Sequence, residues 1–174
     1  MCAVALAAVA LTTALGCLAG CAPAPTPPTP TSTPAFASEE EAFAAAEEVY
    51  RAYNDAGNAR RAGAADADPQ RFLTGTALEA DIDTQNMLLS RGLSAVGAAS
   101  INSIEGDSSE LSTSVASVAM IVCTDVSTLS LLDNTGANVT PPGRGDLVVL
   151  EVTFVGDRES LLISDTTTTD GERC

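Results

Sequence analysis

Leu111-Ser112-Thr113-Ser114-Val115-Ala116-Ser117-Val118-Ala119-Met120-Ile121-Val122-Cys123 is the stretch on which the fold turns. A strand sends alternate side chains to opposite faces, so Leu111, Thr113, Val115, Ser117, Ala119, Ile121 and Cys123 share one face of a long strand. The other face is apolar only toward its end, at Val118, Met120 and Val122, so that end is expected to be covered on both sides. Downstream, residues 126–132 read as a further strand. Asp133-Asn134-Thr135-Gly136 is a turn and Pro141-Pro142-Gly143 a second break. Residues 147–155 and 161–164 form a hairpin around Gly156-Asp157. Immediately upstream, Ala99, Ile101 and Ser103 alternate with polar neighbours, and Glu105-Gly106-Asp107-Ser108 is expected to turn the chain.

Further upstream the period changes from two to about 3.6. Ser38 and Glu41 stand at capping-box spacing, and Glu39, Glu40 and Glu41 suit the positive end of a helix dipole. Phe43, Ala46, Tyr50 and Tyr53 then recur at intervals of three and four as one apolar stripe, and Gly57 is expected to end the helix. Asp68-Pro69 restarts a short helical turn with Pro at its first position, anchored by Phe72 and Leu73 and broken at Gly75. Thr76 with Glu79 offers a second capping box, and Leu78, Ile82, Gln85 and Leu89 lie along one face of a third helix. Helices first and antiparallel strands afterwards make an α+β domain, with N-terminal helices packed on one face of a curved sheet.

The front of the chain has a different character. An unbroken apolar run over residues 2–18 ends in Leu18-Ala19-Gly20-Cys21 and is followed by a Pro- and Thr-rich segment. An apolar run closed by small residues marks a secretory signal. The alternative is a spanning helix, for which about 17 apolar residues is short, and no Lys or Arg precedes the run. Leu18-Ala19-Gly20-Cys21 resembles the lipobox of bacterial lipoproteins, which implies cleavage before Cys21 and a diacylglyceryl group on its thiol. The expected organisation is a signal peptide over 1–20, a lipidated Cys21 with a tether over 21–37, and one domain over 38–174. The tether should favour extended polyproline II at about 3.1 Å per residue. The expected address is the extracytoplasmic face of the cell membrane, reached through the Cys21 lipid anchor; two acyl chains hold a protein stably.

Eight Lys plus Arg, all of them Arg, face 23 Asp plus Glu, and the net charge is −15. Such a surface repels phosphate backbones, so no nucleic-acid partner is expected. It also repels anionic lipid, which leaves membrane attachment to the anchor. The chain has no His and no Trp, so it lacks a side chain that titrates near neutrality when unperturbed.

Of five cysteines, Cys2 and Cys17 leave with the leader and Cys21 is blocked by lipid. Cys123 and Cys174 remain in an oxidising compartment and are expected to pair, the alternative being two free thiols. Closing a loop of about 50 residues stabilises by about 4 kcal/mol in the chain-entropy model. Two thiols without imidazole fall short of a zinc ligand set, and no metal or cofactor is expected.

The layout resembles the nuclear transport factor 2-like superfamily, in which helices precede long antiparallel strands that curl into a cone. The residues that carry the resemblance are the Glu-rich first helix ending near Tyr53, Asp68-Pro69 with Phe72-Leu73, Cys123-Thr124-Asp125-Val126, and Leu162-Ile163-Ser164-Asp165. It is closer still to exported actinobacterial lipoproteins of this shape, in which a tail cysteine closes the chain. The resemblance implies a cone that binds a small apolar ligand or a partner protein without catalysis, and homodimers through the open sheet face. Its other implication is a small isomerase or dehydratase that uses a buried Asp. Asp81, Asp83 and Asp125 are the candidates for that role, each with a plainer reading as a solvated or capping acid. A solute-binding component of a transporter would need about twice this length. No Ser-His-Asp triad can be assembled without His. Asp133-Asn134-Thr135-Gly136-Ala137-Asn138 is spaced a little like a calcium loop but lacks the terminal Glu. Asn138-Val139-Thr140 and Arg144-Gly145-Asp146 read as chance matches to a glycosylation sequon and an adhesion tripeptide.

Overall fold

The computed structural model describes residues 34–169. The expected leader, Cys21, most of the tether and Cys174 lie outside them. Two α-helices and a 3-10 turn come first, followed by six strands: α1 (Glu39–Arg61), the 3-10 turn (Pro69–Phe72), α2 (Gly75–Ser90), β1 (Ser94–Val96), β2 (Ser100–Leu111), β3 (Ala116–Asp125), β4 (Ser130–Leu132), β5 (Leu147–Gly156) and β6 (Leu162–Thr168). Strands β2-β3-β5-β6 form an antiparallel sheet in that order, and β1 pairs with β4 in a separate two-stranded ribbon. This is the expected α+β fold, with the helices on one face of the main sheet.

The first helix starts where its cap places it. Ser38 Oγ accepts the Glu41 N–H at 3.2 Å, and Glu41 Oε2 accepts the Ala37 N–H at 2.8 Å, so two orphan donors of the first turn are satisfied. The domain begins earlier than residue 38, however. Phe36 is 1% exposed in the core, and the Ala35 N–H donates to Ser112 O at 3.1 Å. Burying that ring contributes about 2–3 kcal/mol, which fastens the end of the expected tether into the domain. Gly57 does not end α1. It is buried within the helix, which continues through Arg61.

The core lies between α1 and the sheet face that carries Val118, Met120, Val122, Val152 and Phe154, all buried beneath Ala42, Ala46 and Tyr50. The opposite face points away from α1, but at its far end Ile121 and Cys123 are buried with Val149 in a second, small cluster, so that end of the strand is covered on both sides, as expected. The quoted stretch is also shorter as a strand than expected, because residues 112–115 form the tight β2–β3 hairpin, closed by Ser112 N–H to Val115 O at 3.3 Å.

Residues 105–108 are not a turn but the middle of β2, where the pairing with β3 shifts register between Gly106 and Ser108. A bulge there accommodates a chain that composition alone reads as broken. Gly106 is required by the helix: an added Cβ would lie 2.6–2.7 Å from the Phe43 ring, which rests flat on the strand backbone. Residues 126–132 yield only β4, which leaves the main sheet for β1. In α2 the buried residues are Ala77 and Leu88; of the face expected, Leu78 packs against the core, whereas Ile82 and Leu89 are 41% and 77% exposed. Its cap position is Thr74. Thr76 instead donates to Ser164 O at 2.9 Å and Asp165 Oδ1 at 2.5 Å, and Thr74 N–H donates to Ile163 O at 2.8 Å, so α2 is moored to β6.

Gly106→Ala is expected to lower unfolding free energy by about 1–3 kcal/mol in urea titrations, because Phe43 must leave its seat. A Gly106→Ala,Phe43→Ala double variant should lose less than the sum of the two single changes.

Candidate functional site

Where α1 runs past the last packed aliphatic residues, it and the sheet separate. A cavity of about 210 Å³ opens there, walled by Tyr50, Tyr53, Gly57 and Arg61 from α1 and by Thr124, Val126, Val148 and Leu150 from the sheet region. A wider cavity of about 490 Å³ lies toward α2 and β1 and includes Asp81, Leu88 and Leu93. The two share Tyr53, Arg60, Arg61 and Thr166 in their walls.

The helical spacing explains the lining. Ala42, Ala46, Tyr50 and Gly57 are the buried residues of α1, and continuing the same steps of three and four reaches Arg61. The Arg61 guanidinium folds back over Gly57, where a built Cβ would be 3.5 Å from Arg61 Nη1. Its Nη2 donates to Asn58 Oδ1 at 2.5 Å and its Nε to Gly97 O at 3.4 Å. Asn58 in turn receives the Ala99 N–H at 2.8 Å and donates to Ala99 O at 3.0 Å, and Asn54 Nδ2 adds a bond to the same carbonyl at 3.2 Å. No ion pair to Arg61 is present among the described residues. Burial, and then the neighbouring Arg60, pull its pKa below that of an ordinary arginine; the side chain still stays charged.

Tyr50 and Tyr53 stand with ring centroids 5.9 Å apart, tilted by 57°. Burial pushes the Tyr50 phenol up to about 12, and burial also raises Tyr53. Thr124 is 5% exposed, and its Oγ1 lacks a partner at hydrogen-bonding geometry. The nearby Thr124 hydroxyl nonetheless draws the Tyr50 pKa down somewhat, so the two oxygens are neighbours in poor alignment. A buried hydroxyl without a partner costs on the order of 1–3 kcal/mol.

The three candidate acids have separate places. Asp81 projects from α2 into the wall of the wider cavity, with its side chain 9% exposed. It accepts two bonds from Arg60, at 2.9 and 2.6 Å, and one from Gln70 at 2.9 Å. Burial would raise its carboxyl, but the Arg60 and Gln70 hydrogen bonds outweigh that and hold it below the usual Asp range. Asp83 is exposed on α2. Asp125, at the end of β3, accepts the Ser127 N–H at 2.8 Å, and hydrogen bonds to Ser127 lower its pKa. The structure therefore does not bring the three together. Asp133 is used within its own turn, where Oδ1 accepts from Thr135 N–H, Thr135 Oγ1 and Ala137 N–H. Among the described residues, no group of three His, Cys, Asp or Glu is placed to hold a metal, and no helix is long and apolar enough to cross a membrane.

Cys123 is disulfide-bonded, and no other cysteine lies among the described residues, so its partner is outside them. The expected partner, Cys174, is one of those residues. Asn54, Asn58 and Arg61 are the site residues that the sequence reading passed over; the helical step from Tyr50 was the signal for them.

No protein-family model matches the chain, and no curated protein matches it by sequence. Among solved structures, the chain is similar to the crystal structure of the intermembrane space region of the chloroplast protein ARC6. The TM-score is 0.51 at 14% identity, and the match covers 74% of this chain and 97% of that one. At that identity the likeness concerns the fold alone.

The Asp81 clamp has a pH signature. A carboxyl whose folded pKa is depressed contributes stability that is complete above its unfolded value, about 4, and that fades as pH falls through the folded value. Asp81→Asn is expected to cost about 2 kcal/mol at pH 6 in urea titrations. The gap between wild type and variant should narrow steadily below pH 4.

Proposed function

We propose that the chain is a lipoprotein held on the extracytoplasmic face of a membrane by acylated Cys21, and that its α+β domain binds a small, partly apolar ligand without catalysis. The observation that carries the binding reading is the cavity of about 210 Å³ between α1 and the sheet, walled by aliphatic side chains, two tyrosines and Arg61. The Arg60–Asp81–Gln70 cluster leaves the Asp81 carboxylate fully engaged. An engaged, ionised carboxylate favours binding over the alternative in which Asp81 serves as a general base.

The resemblance to nuclear transport factor 2-like cones fits this reading, since their ligands occupy the space between helices and sheet. Pairing of Cys123 with Cys174 belongs to the same proposal. Thr169 N–H donates to Val149 O at 3.0 Å, and Val149 is the cross-strand neighbour of Cys123. A return from Thr169 to Cys123 crosses two strand spacings, about 10 Å. The five residues 170–174 can reach about 17 Å, so the bond is within their span.

Mass spectrometry of the full chain extracted from its own membranes tests the reading in one experiment. Under native conditions the expected spectrum shows a chain beginning at an acylated Cys21 and a released non-covalent small molecule. Cys21→Ser should abolish the acyl mass and leave an uncleaved precursor. Cys123 should resist alkylation until a reductant is added. A native chain that starts at Met1, without acyl mass or ligand, would contradict the proposal.

A further inference from the structure

We propose that the ligand of the α1–sheet cavity carries a single carboxylate, received by Arg61 at the mouth, with its apolar body lying along Val126, Val148 and Leu150. This rests on the ligand-binding reading given above and names the chemistry of that site.

Three observations converge on it. First, Arg61 is half-buried in the walls of both cavities and has no carboxylate facing it among the described residues, in a chain with 23 carboxylates and eight arginines. Of the other arginines, Arg51 pairs with Glu47, Arg60 with Asp81 and Arg158 with Glu41, while Arg144 donates to the carbonyls of Val126 and Leu129 and Arg71 lies over the Phe72 ring. Leaving a desolvated guanidinium unpaired where acids are abundant is costly unless an anion arrives from outside. Second, the side chain is already oriented. Asn58 Oδ1 holds Nη2 and Gly97 O holds Nε, while Nη1 makes no hydrogen bond among the described residues, and Arg61 lines the same cavity. A planar guanidinium fixed on one edge offers its remaining N–H groups to a carboxylate without a further loss of side-chain freedom. Third, Val126, Val148 and Leu150 give the same cavity an aliphatic wall, which suits the apolar body of such a ligand.

The charge balance selects a monoanion. One uncompensated cation faces the ligand, and Asp81 stands behind Arg60 in the adjoining wall. In a chain of net charge −15, a phosphate dianion would meet repulsion that a single guanidinium does not offset. The aliphatic walls favour a carboxylate joined to a compact hydrocarbon body, and a volume of about 210 Å³ suits a substituted benzoate in size.

The test uses 4-tert-butylbenzoate and 4-tert-butylbenzamide, which share a shape and differ in charge, titrated into the full chain in non-ionic detergent and read by calorimetry. Comparing wild type with Arg61→Gln in the same micelles cancels partition of the probes into detergent. The expected result is a preference of about tenfold or more for the benzoate in wild type, reduced to near unity in Arg61→Gln and partly kept in Arg61→Lys. If Arg61→Gln fails to fold, the wild-type preference and its retention in Arg61→Lys carry the same test. Equal binding of both probes by wild type would overturn the carboxylate proposal and leave the apolar cavity reading intact. Binding of neither probe would overturn both.

Discussion

The pairing of the Asn58 carboxamide with the backbone of Ala99 is the constraint on which the functional half of the molecule depends. The amide accepts the Ala99 N–H and donates to its carbonyl, so the side chain does what one residue of a neighbouring strand would do. Asn54, one helical turn earlier, reinforces the same carbonyl. The chain entering β2 is thereby tied to the C-terminal half of α1, while Phe43 rests on the Gly106 backbone near the other end of the helix. Between these two places Ala42, Ala46 and Tyr50 pack on the sheet, and past Tyr50 the small side of Gly57 leaves the space of the cavity unfilled.

The same oxygen that receives the Ala99 N–H also receives Arg61, so fold and electrostatics meet in one group. This arrangement separates two arginines that are adjacent in sequence. Arg60 turns toward α2 and is neutralised by Asp81, with Gln70 bracing the pair. Arg61 turns toward the sheet, where aliphatic side chains and a threonine take the place of acids. One cation therefore joins the two helices, and the other has no acid facing it among the described residues.

Much of the architecture was legible because local signals agreed with one another. The Ser38–Glu41 cap, the Ala46–Tyr50–Tyr53 stripe and the Gly156-Asp157 hairpin each appear where periodicity and turn chemistry placed them. Two kinds of element were misread, for physical reasons. Gly106 among Glu105, Asp107 and Ser108 has the composition of a turn, yet a strand there needs the missing Cβ to admit an aromatic ring from a helix more than 60 residues away. Phe36 lies against a Pro-rich segment and was grouped with it, although a single buried ring outweighs that neighbourhood. The site itself was harder to see. Asn54, Asn58 and Arg61 have the look of a solvated helix face, and only their three-dimensional partners reveal that they continue the buried stripe. Nothing in hydropathy separates an arginine paired with an acid, such as Arg60, from a neighbour that has no acid facing it among the described residues.

Hydrogen exchange at the Ala99 amide is the most direct measurement of the central constraint. The account predicts that in wild type this amide exchanges as slowly as those of the central strand, for example Val122. Asn58→Ala should then speed exchange at Ala99 by about tenfold relative to Val122, the loss of one net hydrogen bond. An Ala99 amide that exchanges freely in wild type, or is unaffected by Asn58→Ala, would contradict it.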